Sequence, residues 1–184
     1  MKPTIIVEGL TDVAILRALL PPQLVDACNL MPTAGRSTIV SVARTHLIKN
    51  HAPTAVMLDT DTLDPTIIAE TIQTTRHLMG AVAGDTPFDV IYCIPHIEAI
   101  FFEDTPALQR IFPQFYNIFI LQFAKTQPKD QLEVLFQKGG GPRTLNAFLD
   151  QLTSGDVEKL RALYPIQQLM AFITNNTPIA ASKP

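Results

Sequence analysis

Acidic residues follow two apolar runs of this 184-residue chain, each at the point where the run ends. Glu8 comes directly after Ile5–Val7, and Asp59 and Asp61 come after the run 55–58. Short, continuous apolar runs of this kind are typical of buried parallel strands. Because parallel strands of one sheet end at a common edge, the three carboxylates are predicted to lie close together, where they repel unless a cation binds among them.

Three carboxylates at one edge suit Mg²⁺ or Mn²⁺, since these hard cations take oxygen ligands and keep several waters. Such a metal orients a phosphodiester, generates a nucleophilic hydroxide and stabilises the leaving oxygen. We therefore assign Glu8, Asp59 and Asp61 as catalytic metal ligands. The alternative is structural: Asp59 and Asp61 cap a turn, and Glu8 stands at a helix start.

The string Val7-Glu8-Gly9-x-Thr11-Asp12, followed by Asp59-x-Asp61 after a later strand, resembles the Toprim domain. That domain is shared by topoisomerases, bacterial primases, recombination-repair proteins and nucleases of the OLD (overcoming lysogenization defect) family. The similarity extends over residues 4–105 and is greatest to OLD-like and small stand-alone Toprim proteins. It implies a Mg²⁺- or Mn²⁺-dependent nuclease that acts on DNA or RNA with a separate ATPase in phage defence.

Four further residues can be interpreted either as site residues or as ordinary structural ones. Asp12 matches a member of the metal cluster of OLD-like nucleases, or it is a helix cap. Glu98 lies in a Pro-x-x-Glu setting found in related small Toprim proteins and can reach the same edge, or it is a solvated first-turn glutamate. Arg36 opens a helix and forms a phosphate seat with the backbone amides there, or it belongs to a plain loop. His96 is interpreted as an incidental histidine, with a general base as the alternative.

The elements that position these residues alternate between strands and helices. Strands are predicted around 5–7, 28–31, 55–58 and 88–94, with helices between them beginning near Asp12, Ser37 and Asp64. This alternation predicts an α/β fold with a mainly parallel four-stranded sheet flanked by helices. After Pro95 the pattern becomes helical, so residues 1–125 are assigned to the Toprim domain and residues 126–184 to a C-terminal helical extension. The aromatic residues between 115 and 123 are expected in the core, and the end of the chain is expected to be a polar tail.

Composition limits the class of protein. Apolar residues make up 47% of the chain, but no run approaches the roughly 18 apolar residues of a membrane helix, and no signal peptide is recognisable. A cytoplasmic protein that does not enter a membrane is expected. Cys28 and Cys93 lie in apolar runs and are interpreted as buried thiols rather than metal ligands.

Charge is divided unevenly, and this bears on the partner. Residues 1–124 hold seven Lys or Arg against twelve Asp or Glu, whereas residues 125–184 hold seven against five. An acidic catalytic part does not attract nucleic acid at long range, so bound metal, a homo-oligomer or a partner must supply positive charge.

Three functions stay open from the sequence: the metal-dependent nuclease, a non-catalytic Toprim-derived binding or regulatory module, and a primase-like nucleotidyl transferase. No tyrosine stands in a strand-transfer setting and no phosphate-binding Gly-x-x-x-x-Gly-Lys loop is present, so neither topoisomerase activity nor ATP hydrolysis is expected of the chain itself.

Overall fold

A computed structural model describes residues 1–114 and 118–177 and contains the expected four-stranded sheet. All strand pairs are parallel, and their order is β2-β1-β3-β4. The strands are β1 (Thr4–Val7), β2 (Asn29–Pro32), β3 (Thr54–Asp59) and β4 (Phe88–Cys93). The predicted α/β class and parallel sheet are therefore confirmed.

Both faces of the sheet are covered, which explains why its central strands are apolar without a polar alternation. Ile5 and Met57 belong to one buried cluster with α1 (Leu10–Leu19). Their neighbours Ile6 and Val56 belong to a second cluster on the opposite face. Successive side chains of a strand point to opposite faces, so one short strand contributes to both layers of the core.

The second face is covered by α3 (Arg36–Asn50) and α4 (Pro65–Ala83), and their starts differ in how well the sequence predicts them. Asp64 caps α4 as expected and accepts hydrogen bonds from the backbone N–H groups of residues 66 and 67. Ser37 does not cap α3, because that helix already begins at Arg36, after a Gly35 whose φ is 108°. A short helix, α2 (Pro22–Ala27), was not predicted, because Pro22 starts a new helix rather than only ending α1.

The chain after β4 is helical throughout the described residues. A 3₁₀-helix at Ile97–Phe102 is followed by six α-helices. These are α5 (Thr105–Ile111), α6 (Ile118–Ala124), α7 (Pro128–Lys138), α8 (Leu145–Leu149), α9 (Ser154–Arg161) and α10 (Tyr164–Asn176). They pack on the same face of the sheet as α1, in one continuous hydrophobic cluster. The boundary at residue 125 stays a prediction.

Aromatic side chains join these helices. The Phe148 ring stacks with Phe112 at a centroid distance of 5.7 Å and meets Phe101 edge-on at 5.0 Å. In contrast, Phe119 and Phe123 are 65% and 55% exposed, so the expectation that the aromatic residues of this segment are core residues is wrong for them. They lie on α6, whose buried contacts come from Ile120 and Ala124 instead.

Some expectations concern parts of the chain outside the description. Phe115 and Tyr116 lie outside the described residues, and so do residues 178–184 of the tail that was predicted to begin at Asn175. Asn175 and Asn176 are the last two residues of α10, so the prediction is wrong for them. Cys28 and Cys93 are free and buried, as expected. No described helix has the length and hydropathy needed to cross a membrane.

Candidate active site

Glu8 and Asp59 meet at the carboxyl edge of the sheet. Because β1 and β3 are adjacent and pair in register from Thr4 with Thr54 onwards, the residues that follow them emerge side by side. The backbone N–H of Asp59 donates a hydrogen bond to Oε1 of Glu8 over 3.2 Å. The sequence separation of 51 residues is thus closed by strand pairing, as the pattern of apolar runs predicts.

The Asp59 carboxylate is buried and has partners on both oxygens. Its Oδ1 accepts a hydrogen bond from the backbone N–H of Ile97 over 3.0 Å. Its Oδ2 lies 3.0 Å from Nδ1 of His96 and 2.7 Å from Nζ of Lys129. The carboxylate therefore has contacts from two parts of the chain, the segment after β4 and α7.

Asp61 lies in the loop after β3 and is half exposed. It adopts a left-handed backbone conformation with φ of 54°, and its N–H donates to the carbonyl oxygen of Pro95 over 3.1 Å. Its Oδ2 is ion-paired with Arg36, and its Oδ1 lies 3.3 Å from Nδ1 of His96. The predicted phosphate seat at Arg36 is thus engaged by a carboxylate of the same site in this conformation.

A cleft of about 440 Å³ opens beside these residues and separates the five predicted ligands into two groups. Glu8, Asp12 and Glu98 line it together with Lys129. Asp59 and Asp61 are not among its lining residues, and each is bound to a cationic partner. The site is therefore a cleft lined by acidic side chains, with a second carboxylate pair at its border.

Asp12 and Glu98 differ in how their charge is accommodated. Oδ2 of Asp12 accepts the backbone N–H of Gly9 over 3.0 Å, so Asp12 stabilises the first turn of α1 while it lines the cleft. Both meanings of Asp12 are compatible with this position. Glu98 is only 4% exposed, and among the described residues its Oε2 has no hydrogen-bond partner. This carboxylate oxygen, at the wall of an acidic cleft, is available to accept a hydrogen bond or to bind a cation.

Burial and mutual repulsion make these carboxyl groups basic. Burial raises the pKa of Glu98 to about 7, and the charges of Asp59 and Asp12 add to the increase. Burial and the charge of Asp59 likewise raise the pKa of Glu8, and burial raises that of Asp12. Burial alone lowers the pKa of Lys129, but its bond to Asp59 outweighs this and the pKa is raised. A carboxyl group with a pKa near neutral, such as Glu98, binds a cation by exchanging its proton for it.

The donor set fits a hard divalent cation, although the side chains are not arranged around one. Among the described parts of the chain, no three His, Cys, Asp or Glu residues form a group that could hold a metal ion as they stand. The chemistry of the cleft fits Mg²⁺ or Mn²⁺: its acidic residues offer only oxygen ligands, and Glu98 offers an oxygen without a partner. Recruitment of Asp59 and Asp61 as ligands requires Lys129 and Arg36 to move off them.

Lys129 is the site residue that the sequence analysis missed. It lies 70 residues after Asp59, in the part assigned to the helical extension. A weak signal was present: Lys129 stands in the first turn of α7, where a cation interacts unfavourably with the helix dipole. His96 was interpreted as incidental, and this is wrong because its imidazole contacts both Asp59 and Asp61.

Comparisons with known proteins support the fold. Neither a protein-family model nor a curated protein matches the sequence. The C-terminal region of the Burkholderia pseudomallei OLD protein is similar in structure, with 14% identity and a TM-score of 0.54, over 95% of this chain and 97% of that one. The C-terminal region of the Xanthomonas campestris pv. campestris OLD protein has 16% identity and a TM-score of 0.45, over 94% and 96% of the two chains. The likeness to the Burkholderia structure confirms the Toprim-type fold and extends beyond the sheet into the C-terminal helices.

Proposed function

We propose that this protein is a Mg²⁺- or Mn²⁺-dependent nuclease that hydrolyses phosphodiester bonds of DNA or RNA. One observation carries the proposal: carboxylates from two adjacent parallel strands, Glu8 and Asp59, meet at the ligand-binding edge of a Toprim-type sheet beside an acidic cleft. Glu98, with its unpartnered buried oxygen, completes the wall of that cleft.

The residues of the site have separate tasks in this proposal. Glu8, Asp12 and Glu98 would hold the cation from the cleft, and Asp59 and Asp61 would be further ligands if Lys129 and Arg36 moved off them. When bound, the metal polarises the phosphate and lowers the pKa of water. Arg36, released from Asp61, presents a planar guanidinium to the phosphate oxygens. His96 contacts both Asp59 and Asp61 through Nδ1 and orients the two carboxylates relative to each other.

The partner in this proposal is an ATPase that is separate from the chain, with a role in phage defence. Its support is the likeness in fold to the C-terminal region of an OLD protein, together with the sequence resemblance. The acidic balance of residues 1–124 also calls for a source of positive charge from outside, which such a partner or a homo-oligomer supplies.

Cleavage of labelled single-stranded DNA, double-stranded DNA and RNA tests the activity. We expect Mn²⁺-dependent cleavage by the wild type, and a loss of 100-fold or more in Asp59→Asn and Glu8→Gln, since each removes a charged ligand at the reacting centre (of the order of 3 kcal/mol). Asp85→Asn and Glu70→Gln are the matched controls, because both residues are exposed and neither lines the cleft. Cleavage that survives in both site variants would show that the activity does not come from this site.

A specific observation favours a second candidate, the non-catalytic regulatory module. Arg36 and Lys129 already pair with Asp61 and Asp59, so these two carboxylates have cationic partners within the chain itself. In that case the protein binds Mn²⁺ and its partner but cleaves nothing. Calorimetric Mn²⁺ binding that Asp59→Asn weakens, with no cleavage under any condition or with any partner, would favour this candidate.

A further inference from the structure

A second cavity, of about 230 Å³, shares His96 with the candidate active site. The same imidazole whose Nδ1 lies 3.0 Å from Oδ2 of Asp59 forms one wall of this cavity. The two sites therefore adjoin each other at the His96 side chain. A molecule whose reacting phosphate is at the carboxylates has its neighbouring groups within reach of the cavity.

The walls of the cavity are aromatic and aliphatic. Tyr92 and Tyr164 form a tilted ring pair with centroids 5.1 Å apart, and Ile100 and Pro165 add apolar surface. Tyr164 is 42% exposed, so its ring is accessible to a ligand. None of the described lining residues is a lysine or an arginine, and Glu103 is the one residue among them with a formal charge. A phosphate therefore does not belong in this cavity, whereas an uncharged ring does.

The position of Tyr164 is fixed by the chain around it. It is the first residue of α10, between Leu163 and Pro165, where the backbone of the helix start is already ordered. Burial and a hydrogen bond with Tyr92 raise the pKa of Tyr164, so the phenol stays neutral. A preordered aromatic ring binds a planar ligand with little loss of conformational entropy.

The size of the cavity narrows the ligand class. It is smaller than the roughly 300–1,000 Å³ of sites that take drug-sized molecules, and therefore suits one ring system rather than a stack. Base stacking on aromatic side chains is the usual way in which proteins hold single-stranded nucleic acid without reading its sequence. A base inside a duplex cannot enter such a cavity unless it leaves the stack.

We propose that the Tyr92–Tyr164 cavity binds one unstacked nucleobase of the substrate, next to the phosphate that the carboxylate site attacks. This inference rests on the proposed nuclease function and makes single-stranded nucleic acid, or a strand with an unpaired base, its substrate class. The base packs on the Tyr164 ring, and His96 separates it from the reacting phosphate.

Binding of single-stranded oligodeoxynucleotides, measured by fluorescence anisotropy without metal, tests the proposal. A fluorescein-labelled 12-mer is compared with versions that carry one abasic nucleotide at each position in turn. We expect one abasic position to weaken binding to the wild type by about 10-fold, which corresponds to the loss of a single stacked base. Tyr164→Ala should bind the intact and the abasic strands equally, whereas Tyr164→Phe keeps the ring and the preference.

Phe119→Ala is the matched control, because Phe119 is an exposed aromatic residue that does not line the cavity. Abasic strands that bind the wild type as tightly as the intact strand at every position would overturn the proposal, as would a preference that Tyr164→Ala retains. A wild type that binds none of the strands would also overturn the proposal. In that case an apolar side chain of a protein partner would be the better ligand for the cavity. If Tyr164→Ala fails to fold, the abasic strands measured with the wild type and with Tyr164→Phe still test the proposal.

Cleavage of the same strands with Mn²⁺ separates this proposal from the proposed function. Base-dependent binding without cleavage would reject the nuclease and retain the cavity as a nucleobase site. Cleavage without any dependence on the base would retain the nuclease and reject the cavity.

Discussion

Asp59 and Glu98 are both buried carboxyl groups, but they differ in their hydrogen-bond and ion-pair partners. Asp59 contacts a backbone N–H, an imidazole and an ammonium group, so both of its oxygens have partners. Glu98 has an oxygen without a partner, and burial raises its pKa to about 7. The fold therefore surrounds one buried carboxyl group with donors and leaves an oxygen of the other without one.

Glu98→Gln should stabilise the metal-free protein at pH 8 but much less at pH 5. The folded-state pKa of Glu98 lies above the ordinary value of 4.5, so the folded protein holds a proton that the unfolded chain releases. Stability is thus lost as pH rises from about 4.5 through about 7. Glutamine does not ionise, so the variant avoids this loss of stability. Its free energy of unfolding should exceed that of the wild type by up to about 3 kcal/mol at pH 8 and by under about 1 kcal/mol at pH 5. Urea unfolding at both pH values measures this difference, with Glu70→Gln at an exposed position as the control. An equal gain in stability at pH 5 and pH 8 would contradict the raised pKa of Glu98.

Lys129→Met should increase the affinity of the protein for Mn²⁺ several-fold. The ammonium group lies 2.7 Å from Oδ2 of Asp59 and competes with, or repels, a cation that approaches the cleft. Lys49→Met, on the exposed end of α3, is the matched control. Isothermal titration calorimetry at pH 7.5 measures the affinities, and an unchanged or weaker affinity in Lys129→Met would show that the metal does not bind near Asp59.

At the scale of elements, two loops fix each other at the edge of the sheet. The loop after β3 donates the N–H groups of Thr60 and Asp61 to the carbonyl oxygen of Pro95, in the segment after β4. That segment also supplies Ile97 N–H and His96 to Asp59. The site is therefore positioned by contacts between neighbouring strand ends, and the strands themselves are the rigid support.

The three consecutive glycines at 139–141 illustrate another element-scale constraint. A Cβ atom on Gly141 would stand 2.2 Å from the carbonyl oxygen of Ile111 and 3.1 Å from Cδ1 of Phe112. The backbone after α7 thus passes directly against the end of α5, and no side chain fits between them.

Gly141→Ala should destabilise the protein by about 1–3 kcal/mol, because backbone atoms must separate to admit the methyl group. Gly155→Ala is the matched control in the first turn of α9, where the nearest atom to an added Cβ is 3.9 Å away. That substitution should be neutral or stabilising by up to about 1 kcal/mol. Thermal unfolding of both variants gives the comparison, and equal midpoints would contradict the close approach.

Asp156 links α9 to α5 through an ion pair with Arg110, and the stability that this contact contributes should depend on pH. Its Oδ2 accepts the N–H of Thr153 over 2.8 Å and lies 2.5 Å from an Arg110 nitrogen. Burial raises the pKa of Asp156, but the Thr153 bonds and the Arg110 charge outweigh it, and the pKa is lowered. The stabilisation is present above the unfolded pKa and is lost as pH falls through the lower, folded-state value.

Asp156→Asn should therefore cost about 1 kcal/mol at pH 7 and almost nothing near pH 2. Urea unfolding at the two pH values measures the difference between variant and wild type. Asp150→Asn, at an exposed position just after α8, is the control. A cost that does not change with pH would assign the effect to shape rather than to charge.

At the scale of the whole molecule, charge works against the proposed substrate. Residues 1–124 carry a net charge of −5, and residues 125–184 carry +2. Part of that positive charge reaches the site directly through Lys129. Attraction to a polyanion is therefore local and short-ranged in the isolated chain.

Cleavage by the isolated chain should be slow, stronger with Mn²⁺ and steeply dependent on salt. At subsaturating DNA, the rate should fall about 10-fold between 50 and 200 mM salt for every two phosphates that the protein contacts. A partner ATPase or an oligomer that adds basic surface should raise the rate and the salt slope together. Initial rates over a salt series, with and without the partner, measure both; a rate that is independent of salt would contradict contact with the phosphate backbone.

The sequence by itself determined the sheet and the approach of Glu8 to Asp59. Both depend on local information: apolar runs of strand length, each ending in an acidic residue, and helices between them that force the strands to be parallel. Once strands are parallel and adjacent, their ends meet at one edge, whatever the rest of the chain does. The cap at Asp64 was predictable for the same reason, because a cap and its helix are neighbours in sequence.

Only the tertiary structure decided which groups face these carboxylates. Lys129 reaches Asp59 because α7 packs beside the 3₁₀-helix, and that packing depends on apolar contacts between segments far apart in the chain. The pairing of Arg36 with Asp61 likewise depends on how the start of α3 meets the loop after β3. The cavity between Tyr92 and Tyr164 depends on how α10 packs beside β4. Apolar packing between distant segments fixes the direction in which a helix approaches the sheet. Local sequence patterns predict the helix but not that direction.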